Sequence, residues 1–171
     1  MTSSDLHIEL RDDVAIIRLT RGAKRNALSD GLILALRDAF QNLPASVGAA
    51  VIDGEGPHFC AGLDLSELKE RDAGQGLAHS RLWHAALDCI EKGPVPVIAA
   101  LHGAVVGGGL ELASACHIRV ADRSKGPNNT IFFILIFIAS KGITLDFIGQ
   151  RYRKGWSFDK FLPKDILKAS V

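Results

Sequence analysis

The chain has 171 residues, 47% hydrophobic and 23% charged, with a formal net charge of +1. That is enough apolar material for one buried core, and the near-neutral balance gives no electrostatic reason to expect a nucleic-acid or membrane partner. Cys60, Cys89 and Cys116 are odd in number and irregular in spacing, which argues against a disulfide framework and for a reducing compartment. The start, MTSSDLHIEL, does not read as a signal peptide, and the apolar run IFFILIFIA (131–139) is far shorter than the roughly twenty residues of a membrane-spanning helix. The expected location is the cytoplasm.

In chain order, LHIEL and VAIIRLT flank RDD and predict a hairpin. NALSDGLILALRDAFQNLP predicts a helix, with Ser29 as N-cap, Leu32, Leu36 and Phe40 on one face, and Pro44 past the end. GAAVID (48–53) reads as a short buried strand, and GEGPHFCAG as a Gly/Pro-rich loop. SELKERD (66–72) reads as a solvated helical face. Residues 79–92 predict a second helix with Leu82, Ala86, Leu87 and Ile90 on one side, then PVPVIAAL a strand, a short helix opening at a glycine run, and HIRVA another strand. Strands alternating with helices predict an α/β fold.

The composition changes near Ser124. Residues 1–124 carry 12 Lys/Arg against 16 Asp/Glu, whereas residues 125–171 carry 8 against 3 and six of the eight phenylalanines. The expected organisation is a core at 1–124 and a divergent basic and apolar tail at 125–171, too short for a robust core of its own. A different reading frame and a lineage-specific extension both fit such a tail.

The glycine run lies in HGAVVGGGLELASACHIRVAD (102–122), where Gly107-Gly108-Gly109 precede Glu111. No Lys-Ser/Thr pair follows, as a P-loop needs, and G-x-G-x-x-G is not met, so nucleotide phosphate is rejected. Glycines opening a helix do let a ligand approach unpaired backbone N–H groups, which favour a developing negative charge. A carboxylate one turn on could move a proton there. Close helix packing and the preference of acids for first turns explain the same residues without a ligand. A second small-residue turn, Ala61-Gly62 in GPHFCAGLDL, could supply a second N–H to the same oxygen.

Three segments together resemble the crotonase family, the enoyl-CoA hydratases and isomerases: IAALHGAVVGGGLELASACHI, FCAGLDL and LTRGAKRNALS, in the family's order, over about residues 5–124. The resemblance implies a spiral of ββα units and an acyl-CoA thioester ligand. It implies an oxyanion hole from the N–H groups of Ala61 and Gly108, with Glu111 as acid/base in hydration of a 2-enoyl-CoA, as in fatty acid metabolism. Gly62, Leu63 and Asp64, with Gly107, fall in the substrate-contacting loops, and Lys24, Arg25 and Ala27 in the part that holds the CoA moiety. CoA belongs to the substrate, so no separate cofactor is implied.

The likeness stops near Ser124. The second glutamate of the hydratases, in a Pro-Glu context about twenty residues past Glu111, has Ile131 in its place. The later helices that cover the ligand and support family trimers find no counterpart, so the chain reads as truncated and trimerisation is not expected. A catalytically impaired acyl-CoA binder or an inert family member is the rival reading, and an interaction module working through the basic tail a third. The six histidines form no H-E-x-x-H, so no metal site is expected. Cys60 reads as a buried hydrophobe. Trp83 and Leu87 fit either an acyl pocket or plain core packing.

Overall fold

The computed structural model describes residues 5–67, 70 and 72–121. The expected boundary at Ser124, the tail and Ile131 lie outside them. Strands β1 (Leu6–Arg11) and β2 (Val14–Leu19) form the expected antiparallel hairpin, with Arg11 opposite Val14 across a two-residue turn. Strands β3 (Ala49–Gly54), β4 (Val97–Leu101) and β5 (Ile118–Ala121) continue the sheet in parallel, in the order β1-β2-β3-β4-β5.

Side chains alternate between the two faces, as a pleated strand requires. Ala15, Ile17, Leu19, Ala50, Ile52, Val97, Ala99 and Leu101 share the main core with helices α1 (Asp30–Gln41), α2 (Ala73–Glu91) and α3 (Gly108–Ala115). Val14, Val51, Ile98 and Ala100 form a smaller cluster of the opposite parity. Burial on both faces is why β4 reads as an unbroken apolar run. The mixed α/β class is as expected.

Helix α1 follows its sequence pattern closely. Ser29 Oγ accepts the Leu32 N–H at 3.1 Å, and Leu32, Ile33, Leu36 and Phe40 are buried. Such a cap contributes about 1 kcal/mol. Helix α2 begins six residues before the expected start. Gly74 and Gly76 weaken the helical pattern there, each by roughly 1 kcal/mol relative to alanine, but a capping box offsets them: Gln75 N–H donates to Asp72 Oδ1 at 2.8 Å, and Asp72 N–H to Gln75 Oε1 at 3.3 Å. Asp72 is therefore an N-cap and not part of a solvated helical face; of 66–72, residues 66 and 67 belong to a 3-10 turn, Leu65–Glu67. Among the described residues, no helix is long and apolar enough to cross a membrane.

The junction of α3 and β5 is tied to the start of β4 through His117, whose N–H donates to Val97 O at 2.9 Å and whose Nδ1 accepts the Val97 N–H at 3.1 Å. The strand expected at HIRVA begins one residue later, at Ile118, so Cys116 and His117 both precede it. Burial holds the His117 pKa below its ordinary 6.5, against an opposing hydrogen bond with the Glu91 main chain. With the folded-state pKa depressed, the unfolded chain binds the proton more readily. This contribution to stability is complete above about pH 6.5 and is lost as pH falls through the folded value. His117→Gln, which keeps an acceptor but does not titrate, is expected to make urea stability less sensitive to pH between about 7 and 5. An unchanged slope would remove His117 from the account.

Candidate active site

Strands β3 and β4 end on the same edge of the sheet, the edge where parallel α/β sheets open their ligand crevices. Past it, the three sequence motifs run side by side. Phe59 N–H donates to His102 O at 2.8 Å, Cys60 N–H to Ala104 O at 3.1 Å, and Val106 N–H to Cys60 O at 3.2 Å. On the other side, Leu28 N–H donates to Gly62 O at 2.7 Å and Asp64 N–H to Leu28 O at 2.8 Å. Segments 25–28, 59–64 and 102–106 are thus laced into one small layer, with parallel bridges at Leu28–Leu63 and Cys60–Val105.

The three glycines do different work. Gly107 sits at φ 52° and ψ −125°, a conformation that side chains rarely adopt, and it turns the chain into α3. Gly109 packs on the second loop, where a Cβ would overlap the Cys60 carbonyl oxygen and come within 2.9 Å of Cys60 Cβ and Sγ. Gly108 faces Leu28, Leu63 and Trp83. A Cβ there would lie 3.2 Å from Leu28 Cδ1, 3.3 Å from Trp83 Cζ3 and 3.8 Å from Leu63 N.

The main-chain donors beside Gly108 differ from expectation at one position. Gly108 N–H, the first of α3, has no acceptor among the described residues. Ala61 N–H, its expected partner, is already committed to Arg25 O at 3.0 Å. Gly62, at φ 93°, reverses the chain just after it, and Leu63 N–H is left without an acceptor among the described residues. The physical reason is direction: Ala61 and Asp64 both turn their N–H groups toward the 25–28 segment, so the amide of Leu63, bridged to Leu28 by its neighbours, faces away from it. The Ala61 N–H is thus taken, whereas those of Leu63 and Gly108 have no acceptor among the described residues.

Glu111 lies one turn beyond Gly108 on the same side of α3, exposed, and its N–H donates to Gly107 O at 3.1 Å. The Cα–Cβ bonds of a helix tilt toward its N-terminus, the end of α3 that holds Gly108. No partner for the Glu111 carboxylate occurs among the described residues.

The remaining predicted positions divide into backbone and ion-pair roles. Asp64 is buried, and its carboxylate accepts from Ser66 Oγ at 2.6 Å, Arg21 Nη2 at 2.6 Å and Lys24 Nζ at 3.0 Å. Hydrogen bonds from Ser66, then Arg21 and Lys24, hold it well below the usual carboxylate range. Asp64 and Lys24 therefore spend their charges on each other and order the loop. Arg25, at φ 53°, is exposed and uses its carbonyl to hold Ala61; Ala27 is buried, and its carbonyl accepts from Arg21 Nη1.

Sequence reasoning passed over Asn26. It is fully buried at φ 54°, and its Nδ2 donates to Glu55 O at 2.9 Å and His58 O at 2.8 Å, clamping the turn after β3. His58 Nδ1 accepts the Ala104 N–H at 3.1 Å and joins the two loops. Cys60 is fully buried, and burial pushes its thiol up to about 11, which suits packing and not nucleophilic attack. Among the described residues, no cluster of His, Cys, Asp or Glu could hold a metal ion.

The enoyl-CoA hydratase/isomerase family profile matches residues 9–142, beyond the expected boundary of the likeness near 124. The 4-chlorobenzoyl coenzyme A dehalogenase-1 of an Arthrobacter species is 40% identical over 127 residues, which is 70% of this chain and 46% of the dehalogenase. A candidate enoyl-CoA hydratase from Rhodopseudomonas palustris CGA009 superposes with a TM-score of 0.68 at 58% identity, over 69% of this chain and 46% of that one. A candidate enoyl-CoA hydratase from Thermobifida fusca YX, solved in complex with acetoacetyl-CoA, superposes with a TM-score of 0.62 at 28% identity, over 69% of this chain and 51% of that one. The chain spans about half the length of these relatives. By the extent of the profile match and the fold it shares with these structures, the chain belongs to the enoyl-CoA hydratase/isomerase family.

Proposed function

We propose that the chain binds an acyl-CoA thioester against the Leu63 and Gly108 amides and hydrates a 2-enoyl-CoA there. The observation that carries the reading is the pair of main-chain N–H groups, of Leu63 and Gly108, without acceptors among the described residues. The thioester oxygen accepts from both as it becomes an enolate. Each such donor is worth a few kcal/mol in the transition state. Glu111 orients a water and takes its proton, the water oxygen bonds to C3, the electron pair of the C2–C3 double bond passes into the enolate, and a proton returned to C2 completes the addition. The only coenzyme this chemistry uses is the CoA carried by the substrate. The Thermobifida fusca neighbour's acetoacetyl-CoA supports the ligand class.

A second reading, binding without turnover, is favoured by Ile131 standing where hydratases place their second glutamate. Crotonyl-CoA absorbance and acetoacetyl-CoA titration of the intact chain separate the two. Loss of the enoyl absorbance supports hydration, saturable binding with no loss supports the second reading, and neither binding nor turnover would overturn both.

A further inference from the structure

Trp83 is anchored at the polar end of its indole. On α2, its Nε1 donates to Asp30 Oδ1 at 3.0 Å, while Cζ3, on the benzo edge, lies 3.3 Å from the place a Cβ on Gly108 would occupy. Asp30, the first residue of α1, is itself anchored. The same Oδ1 accepts His79 Nε2 at 2.6 Å, and the Asp30 N–H donates to Glu67 Oε2 at 3.0 Å in the turn after the Asp64 loop. The His79 and Trp83 rings lie 5.7 Å apart at 43°. Core packing alone needs none of this: Trp83 is only half-buried and packs at the margin of the main core. The polar edge of the ring is satisfied at Asp30 and the apolar edge is turned to Gly108, so the surface beside Gly108 is flat and apolar. Leu28 Cδ1 is the other apolar atom at this surface.

We propose that Trp83 is the specificity-determining wall of the acyl site and selects a flat, conjugated acyl group, an aryl thioester in preference to a saturated chain. This rests on the acyl-CoA reading of the Leu63 and Gly108 amides. A planar π system beside the carbonyl can lie against or edge-on to the indole in the offset or T-shaped arrangements that aromatic pairs prefer, whereas a saturated chain gains only contact area. Asp30 is a positioning residue. It touches no substrate and acts by fixing the angle of the indole.

The test uses the intact chain with Trp156→Phe, which leaves Trp83 as its only tryptophan, and three probes: benzoyl-CoA, hexanoyl-CoA and acetoacetyl-CoA. Benzoyl-CoA is expected to bind about three- to tenfold tighter than hexanoyl-CoA and to change the Trp83 emission on saturation. Trp83→Leu removes the preference, Trp83→Phe keeps part of it, and Asp30→Asn lowers it while shifting the emission of the free protein. A benzoyl-to-hexanoyl ratio unchanged in Trp83→Leu, with acetoacetyl-CoA still bound, would overturn the proposal and leave the acyl-CoA reading standing. Failure of the unmutated chain to bind acetoacetyl-CoA would overturn the reading beneath it. If Trp83→Leu does not fold, Trp83→Phe and the emission decide: a calorimetrically saturated benzoyl-CoA complex with unaltered Trp83 emission counts against the wall.

Discussion

On the proposed hydration, replacing Glu111 by Gln is expected to lower crotonyl-CoA turnover by about 10²–10⁴-fold, the usual worth of a positioned acid or base. Acetoacetyl-CoA affinity changes little. The separation is expected because the carboxylate is exposed, its main-chain N–H and not its side chain secures the helix, and no partner among the described residues loses a hydrogen bond. Glutamine keeps the size and the ability to orient water but cannot take the proton. Parallel measurement of turnover and of binding checks both halves. Equal rates in the two proteins would remove Glu111 from the chemistry. A parallel loss of binding would give it a role in holding ligand instead.

The neighbouring glycines are expected to fail in opposite ways. Alanine at Gly109 would gain up to about 1 kcal/mol of helix propensity, yet its methyl meets the Cys60 main chain and side chain together, and neither can retreat from a fully buried loop. Overpacking of this kind costs about 1–3 kcal/mol or more, so the clash wins, and Gly109→Ala lowers the melting temperature by several degrees. Alanine at Gly108 comes nearest the ends of the Leu28 and Trp83 side chains, at 3.2 and 3.3 Å, a milder crowding than main-chain overlap and one that the Leu28 side chain can relieve. Its methyl, however, fills the space beside the Leu63 amide. Gly108→Ala is therefore expected to fold normally and to lose at least about 10²-fold in turnover. Thermal melts and crotonyl-CoA assays on the two variants check the contrast. A stable Gly109→Ala, or a fully active Gly108→Ala, would contradict the assignment of the two positions.

Much of the frame was legible because it depends on local pattern. Ser29 and the Leu32–Leu36–Phe40 spacing define α1, and the parity of Ile17, Ile52 and Ala99 defines the core face of the sheet. The start of α2 was obscured by Gly74 and Gly76, although the Asp72–Gln75 capping pair was there to be read. The motifs identified which loops meet but not which amide each leaves without an acceptor. That depends on Gly62 at φ 93° and on Arg25 lending its carbonyl to Ala61, a contact 36 positions apart in the chain that no spacing announces. Asp64 likewise stood in a substrate-contacting motif, and its partners Arg21 and Lys24 come from a different segment. Trp83 read from the sequence first as core packing, and its hydrogen bond to Asp30, which comes from a different helix, could not be read from any spacing.

The account turns on the donor pair Leu63 and Gly108, and a crystal structure of the chain with acetoacetyl-CoA tests it most directly. The thioester oxygen is predicted to lie about 2.7–3.1 Å from both the Leu63 and Gly108 nitrogens, with the Ala61–Arg25 hydrogen bond intact. An oxygen seated on the Ala61 amide with that bond broken, or a thioester bound away from α3, would contradict it.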